Sequence, residues 1–199
     1  MLASRTKRSI SPVWLSVLLL LIALSALTQA IAASPETPHI VATINGQTIT
    51  QERFEEEVRL KQMKLALANR SAKPNEADLL NRIIADTLTL QAASSTGLFI
   101  DPALVEAEIR LILGRSQVTR AEMELLLDGH DLTWHDFERS VWEYVKMSHF
   151  LTELLLADIS QGKQDYLESW MSEQFHQAEL SFDQAFLARI NAPAPSIDF

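Results

Sequence analysis

Residues 39–54, HIVATINGQTITQERF, read as a short strand, a tight turn, a brief second strand and the start of a helix. The apolar run from Ile40 to Ile44 favours a strand, and Asn45-Gly46 accepts the positive φ angles that a two-residue hairpin turn requires. Thr50 is typical of a helix N-cap, because its hydroxyl can accept a hydrogen bond from an unpaired first-turn N–H group. The stretch therefore predicts a β-hairpin that leads directly into a helix.

Six helices are predicted after the hairpin, because apolar residues recur at three- and four-residue spacing between clear start and stop signals. The first runs from Gln51 to about Ala68, the fifth is long and apolar through Ile159, and the sixth covers Asp165 to Gln177. We expect the sixth helix to turn Tyr166, Trp170 and Met171 inward. The start signals of the second to fifth helices are Asn75, Asp101-Pro102, Thr119 with Glu122, and Thr133. Residues 179–182 alternate in polarity and predict a third strand beside Val41 to Ile44.

Residues 1–32 have the pattern of a secretory signal peptide. Three basic residues precede an apolar segment from Val13 to Leu27, and Ala30-Ile31-Ala32 places small residues where a signal peptidase reads the chain. We expect cleavage after Ala32. An uncleaved anchor is the alternative, because the apolar run approaches the ~20 residues that span a bilayer. Either way, the rest of the chain is predicted to be exported to the periplasm, the cell envelope or the extracellular space.

The remaining sequence predicts one domain. Residues 33–38 form a linker, residues 39–185 a helical domain, and residues 186–199 a disordered tail. Removing residues 1–32, which carry three positive charges and no negative one, takes the formal net charge from −9 to −12. An acidic surface repels nucleic acid and anionic lipid, so nucleic acid is not an expected partner, and membrane contact is expected only through an uncleaved N-terminal segment. The absence of cysteine excludes a disulfide framework and a lipid-modified cysteine.

The order of these elements resembles the SurA-like N-terminal domain of exported parvulin-type prolyl isomerases and chaperones. The matching residues are Val41 to Gly46, Ile49-Thr50, Ile83 to Leu90 with Gly97, Ile100-Asp101 with Glu106, and Leu132-Thr133 with Phe137. These are mostly packing and capping positions, so they indicate the fold better than an activity. The resemblance implies a mainly α domain of about six helices with a short β-hairpin or small sheet. It also implies a relation to peptidyl-prolyl isomerases, but the fifth helix leads through a short polar loop into the sixth, which leaves no room there for a parvulin domain.

The sequence predicts no catalytic residues, no metal and no cofactor. His130, His135 and His149 are close in sequence, but fourteen residues separate the last two, which places them about 20 Å apart along a helix axis. Glu55, Glu56 and Glu57 are consecutive, so their side chains point about 100° apart on a helix. There is no nucleophile elbow and no phosphate-binding glycine loop.

Two helices carry a second apolar stripe. On the first helix Phe54, Val58 and Leu65 form one apolar face. A second apolar face, formed by Leu60, Met63 and Leu67, lies about 160° away, and the fifth helix also has two apolar faces. The stripes either pack against neighbours on both sides or line a groove for client polypeptides, with methionine adapting to varied side chains. The candidate client-binding residues are Leu60, Met63, Leu67, Met147, Phe150 and Leu154.

Three interpretations of function stay open at this point. The first is an exported, non-catalytic chaperone domain that binds unfolded or exported polypeptides, a client class that the resemblance implies. The second is a structural or adaptor module that binds a dedicated partner or a second copy of itself as a homodimer. The third is an isomerase relative without the catalytic domain.

Overall fold

The computed structural model describes residues 38–68, 70, 72–156 and 162–193, with the side chains of residues 153 and 154 left out. The predicted signal peptide and residues 33–37 of the predicted linker lie outside these ranges, as do residues 194–199. The described chain is mainly helical and has a small antiparallel sheet near its N-terminal end, as the sequence predicts.

The sheet has three strands in the order β2-β1-β3. Strand β1 spans Ile40–Ile44, β2 spans Gln47–Thr50 and β3 spans Leu180–Phe182. At the turn Asn45 and Gly46 have φ angles of 50° and 79°, which confirms the predicted hairpin. The predicted third strand is also confirmed, because Ile44 pairs with Leu180 and brings the end of the domain against its beginning.

Seven α-helices occur in the described residues: α1 Gln51–Leu67, α2 Glu76–Ser95, α3 Pro102–Ser116, α4 Arg120–Asp128, α5 Trp134–His149, α6 Lys163–Gln177 and α7 Gln184–Arg189. The predicted N-caps at the first five are confirmed. The Thr50 hydroxyl accepts from the Arg53 backbone N–H, and Thr119 and Thr133 each form a capping box with the acidic residue three positions later. Local capping chemistry therefore fixes where the helices begin.

Two hydrophobic cores share helix α1. The sheet core joins β1, β2, α2 and α7 to the start of α1, where Phe54 is 1% exposed. The helical core joins α3, α4 and α5 to a later stretch of α1, through Leu60 and Met63, which are both fully buried. Helix α1 is therefore apolar on two sides because it packs into a different core on each side.

The C-terminal boundary predicted at residue 185 is too early. Helix α7 begins at Gln184, and Phe186, Leu187 and Ile190 are buried in the sheet core. The Phe186 ring meets Phe54 edge to face, with ring centroids 4.9 Å apart. The segment predicted to be a disordered tail therefore contributes packed residues through Ile190, because α7 and its C-cap residue together place three apolar side chains in the sheet core.

The predicted fifth helix changes its winding before it ends. From Phe150 to Leu155 the chain forms a π-helix, in which the Leu156 N–H donates to the Leu151 carbonyl at 3.0 Å. A wider turn rotates the residues that follow, so the faces expected from a uniform 3.6-residue period do not extend beyond His149. The sixth predicted helix also differs: Tyr166 is 41% exposed and faces outward, whereas Trp170 packs near the Phe150 ring.

Candidate functional site

A long cleft runs between the helices, formed by two adjoining cavities of about 580 Å³ and about 410 Å³. Helices α1, α2, α5 and the C-terminal end of α3 line the first cavity. The second lies between α2, α6 and the region where α5 passes into the π-helix. The two cavities share four lining residues, Arg82, Asp86, Tyr144 and Met147. They therefore form one continuous surface depression.

Methionine is concentrated on the lining of the long cleft. Of the four methionines in the described residues, Met63 lies in the first cavity, Met171 in the second, and Met147 where the two meet. Methionine is unbranched and polarizable, and it fits irregular apolar shapes better than branched side chains do. The other apolar lining residues are Leu67, Ala68, Leu79, Ala85, Ile112, Phe137, Val141, Leu151 and Leu167.

The structure separates the six candidate client-binding residues predicted from the sequence. Met63, Leu67 and Met147 line the long cleft, although Met63 is fully buried and presents only its inner wall. Leu60 is buried in the helical core, and Phe150 is 5% exposed, so neither side chain is available to a ligand in this conformation. The side chain of Leu154 lies outside the described part of the chain.

Sequence reasoning missed the most exposed aromatic residue of the cleft. Tyr144 is 52% exposed and lines both cavities. It lies three positions before Met147, so helical spacing alone could have placed it on the same stripe. Trp142 belongs elsewhere: it lines a separate small cavity with Pro102 and His135 on the other side of α5.

Ion pairs hold most of the acidic residues in the walls of the long cleft. Arg53 donates to Glu57 and to Glu143, each at 2.8 Å, and so ties α1 to α5. Arg82 contacts Asp86 at 3.4 Å on α2. These contacts give the carboxylates beside the apolar lining defined positions, although the single guanidinium of Arg53 is shared among Glu56, Glu57 and Glu143.

The basic residues of the first cavity are less engaged. Among the described residues, Lys61, Lys64 and Arg115 make no ion pair within 4.0 Å, and neither does the acidic Glu108. Lys64 is exposed on the cleft wall, and partial desolvation by the neighbouring protein lowers its pKa, although the Glu57 carboxylate opposes this shift. Desolvation likewise raises the pKa of Glu57 and that of Asp86. The charged walls therefore face a space that is less polar than open water.

Across the described ranges, no cluster of three or more His, Asp or Glu side chains is arranged to hold a metal ion. Nor does that part of the chain contain a helix with the length and apolar character needed to cross a bilayer.

Comparisons with known proteins agree with the fold. The chain matches the SurA-like N-terminal domain family over residues 1–151. A protein named Chaperone SurA from Aromatoleum aromaticum is 29% identical over 150 residues, which cover 71% of this chain and 31% of that protein. Chaperone SurA from Thiobacillus denitrificans is 34% identical over 58% of this chain and 27% of its own length.

A third relative extends the similarity along the sequence. Chaperone SurA from Burkholderia orbicola is 24% identical over 90% of this chain and 42% of its own length. The chain thus spans between about a quarter and two fifths of the length of these relatives. The family match covers more than half of the chain and includes the hairpin and helices α1 to α5. This chain belongs to the family of SurA-like N-terminal domains.

Proposed function

We propose that this chain is an exported, non-catalytic chaperone domain that binds unfolded polypeptide segments in the long cleft. The long cleft is the observation that carries the proposal, because it is open, has apolar side chains between its charged walls, is rich in methionine and is continuous over two cavities. The name Chaperone SurA, borne by relatives of the same family, supports the client class.

The dimensions of the long cleft suit an extended peptide. On α2 the lining residues run from Leu79 in the first cavity to Thr89 in the second, a rise of about 15 Å at ~1.5 Å per residue. An extended chain covers that distance with about five residues at ~3.3 Å each. Alternate side chains of such a segment would point toward the lining, where flexible methionines can adapt to sequences that differ.

Export is proposed from residues 1–32, whose basic start, apolar segment and small-residue site are those of a signal peptide. A domain delivered in this way would meet chains that have crossed a membrane and have not yet folded. Such chains expose the apolar residues that the cleft is suited to cover. Holding them there would reduce their association with one another.

Two exposed tyrosines provide a matched test. Tyr144 lines both cavities and is 52% exposed, whereas Tyr166 is 41% exposed and lies on α6 outside both of them. Each substitution to alanine is expected to change the free energy of unfolding by less than about 1 kcal/mol, since both side chains are largely solvated already. Suppression of aggregation of an unrelated unfolded protein should weaken in Tyr144→Ala and stay at the wild-type level in Tyr166→Ala. Equal behaviour of the two variants would argue against the long cleft as the client site.

The adaptor interpretation rests on apolar side chains outside the long cleft. Phe99 and Leu125 are 79% and 73% exposed, and either side chain would be available to a fixed partner or a second copy. This alternative predicts a stable dimer at micromolar concentration and no protection of unfolded clients. Measuring the mass in solution beside the aggregation assay separates the two functions. The third interpretation, an isomerase relative without the catalytic domain, shares with the proposed function the prediction that the purified chain leaves prolyl isomerisation at its uncatalysed rate, and acceleration of that reaction would contradict both.

A further inference from the structure

Helix α6 is packed less tightly than its neighbours. None of its fifteen residues is buried, whereas each of the other six α-helices in the described part of the chain has at least two buried residues. Trp170 contacts the rest of the chain through a tilted packing against Phe150, with ring centroids 5.8 Å apart. Elements with few buried apolar contacts open at a lower free energy than the rest of a fold. The burial pattern therefore indicates that α6 can leave its neighbours without global unfolding.

The first half of α6 faces a cavity instead of a packed core. Its inward residues recur at positions i, i+3, i+4 and i+7, the spacing of one helix face, and line the second cavity: Gln164, Leu167, Glu168 and Met171. That cavity has a volume of about 410 Å³. The N-terminal end of the helix is also weakly held, because its N-cap residue, Gly162, supplies no side-chain hydrogen bond.

Polar contacts do not hold the first half of α6 against its neighbours. The side-chain hydrogen bonds of the helix stay within it, as between the Gln164 amide and the Glu168 carboxylate at 2.7 Å. Among the described residues, no ion pair within 4.0 Å joins α6 to another element. Partly buried apolar side chains therefore provide most of the contact that keeps this half of the helix in place.

The C-terminal end of α6 is anchored. Phe175 and Ala178 pack against the sheet core. Just after the helix, the Asn45 N–H donates to the Glu179 carbonyl at 2.9 Å, and the Glu179 N–H donates to the Asn45 side-chain oxygen at 2.8 Å. Asn45 is held in turn, because its amide nitrogen donates to Gln91 on α2 at 2.9 Å. The backbone becomes extended at Ala178, so a fixed pivot lies between the helix and strand β3.

We propose that α6 is a lid of the long cleft, which pivots at Ala178-Glu179 to admit an apolar polypeptide segment into the second cavity and then closes on it through Leu167 and Met171. The admission of a polypeptide rests on the proposed function, whereas the pivoting of α6 does not. Closure would bury the two apolar side chains against the segment, and this burial would favour the closed position when a client is bound. The lid thus gives the second cavity an adjustable width.

Pairs of spin labels test the motion, since the chain contains no cysteine and introduced thiols are labelled without interference. Asn81→Cys on α2 is combined either with Asp165→Cys near the start of α6 or with Gln177→Cys at its end, all three positions being exposed. Double electron–electron resonance should give a broad distance distribution between positions 81 and 165 and a narrow one between 81 and 177. An unlabelled apolar peptide of about nine residues, long enough to span both cavities, should narrow the first distribution and leave the second unchanged.

A substitution on the inward face tests the closing contact. A dye-labelled form of the same peptide should dissociate about two- to tenfold faster from Leu167→Ala than from the wild-type chain, because the closed lid would then lose apolar surface to bury. Tyr166→Ala is the matched control, because its side chain lies on the same helix but outside both cavities. Circular dichroism and thermal melts establish that each variant is folded.

The outcomes separate the lid from the function on which its role rests. Equally narrow distributions at both ends of α6 would overturn the lid and leave the proposed function standing. A peptide that binds, leaves the distribution between positions 81 and 165 unchanged and dissociates from Leu167→Ala at the wild-type rate would also overturn the lid. No binding of the peptide would overturn the proposed function, and the closure of α6 on a client with it.

Discussion

Met63 and Met147 line the same cleft but differ in burial. Met63 is fully buried and belongs to the helical core, while Met147 is only partly buried and lies where the two cavities meet. Two residues that look equivalent in the sequence therefore have different roles. Met63 holds the cleft in shape, and Met147 is in a position to contact what enters it.

Changing each methionine to serine should separate these roles. Met63→Ser removes a buried side chain and leaves a hydroxyl in the core, so the free energy of unfolding should fall by about 2–5 kcal/mol. Met147→Ser should cost about 1 kcal/mol, because part of that side chain is already in contact with solvent. Urea unfolding of the single variants measures the difference, and client affinity should fall in Met147→Ser at temperatures where it stays folded. Equal destabilisation by both changes would contradict this division.

Helix α7 is joined to the first strand by a histidine that bridges three elements. The His39 Nε2 atom lies 2.7 Å from the Asp183 carboxylate, at the N-cap of α7, and its Nδ1 atom lies 2.9 Å from the Gln51 side-chain oxygen. The Gln51 amide nitrogen donates to Glu55 at 2.7 Å, which leaves its oxygen directed at the histidine. Both partners of the ring are acceptors, so the contact is complete only when both ring nitrogens carry a proton.

This contact should depend on pH. The hydrogen bonds to Gln51 and then to Asp183 raise the pKa of His39 above 6.5, although Arg189 nearby opposes the shift. A raised pKa means that stabilisation is fully present below pH 6.5 and is lost as the pH rises through the pKa of the folded state. The pKa of Asp183 is lowered, by the Phe186 N–H and then by His39, so its contribution is lost only as the pH falls below 3.8.

The wild-type chain should therefore melt at a higher temperature than His39→Gln near pH 5.5, and the two should converge near pH 8.5. Thermal melts across this range measure the difference, with His135→Gln as a control, because that histidine is exposed and lies on α5, away from α7. If the difference in melting temperature between wild type and His39→Gln is the same at both pH values, protonation of His39 does not support the docking of α7.

The elements that could be predicted are those fixed by neighbours in sequence. Asn45-Gly46 dictates a hairpin because few other residues accept its φ angles, and Thr119 caps α4 through a residue only three positions away. The third strand was also predictable, since a lone hairpin needs another strand beside it. Helix capping, turn formation and the alternation of polar and apolar residues in a strand depend on residues close together in sequence. They can therefore be predicted from the sequence alone.

The elements that could not be predicted depend on distant packing. Helix α7 has only six residues, too few for a periodic pattern, and Phe186 is ordered by the ring of Phe54 rather than by its own neighbours. The π-helix leaves no signature in spacing, because the residues from Phe150 onward also fit a regular helix. The same limit applies to the long cleft, because its walls come from five separate helices that meet around Tyr144 and Met147.

For the molecule as a whole, the proposed export would decide where the long cleft meets the proposed clients. The basic start, the apolar segment and Ala30-Ile31-Ala32 predict that the exported protein begins at Ala33. N-terminal sequencing of material recovered from outside the cytoplasm checks this, with Ala32→Arg as the variant that should block cleavage, since an arginine does not fit the small-residue position. Membrane-bound protein that retains residues 1–32 would indicate an anchor instead.

The central claim concerns where an unfolded chain binds, and site-specific photo-crosslinking measures this most directly. A photoreactive amino acid is placed at Tyr144, inside the long cleft, or at Tyr166, which is similarly exposed but outside it. With an unfolded client protein present, position 144 should form crosslinks that an excess of unlabelled apolar peptide abolishes, while position 166 should form few. Crosslinks of equal yield at the two positions, or crosslinks at 144 that the peptide does not compete, would contradict binding in the long cleft.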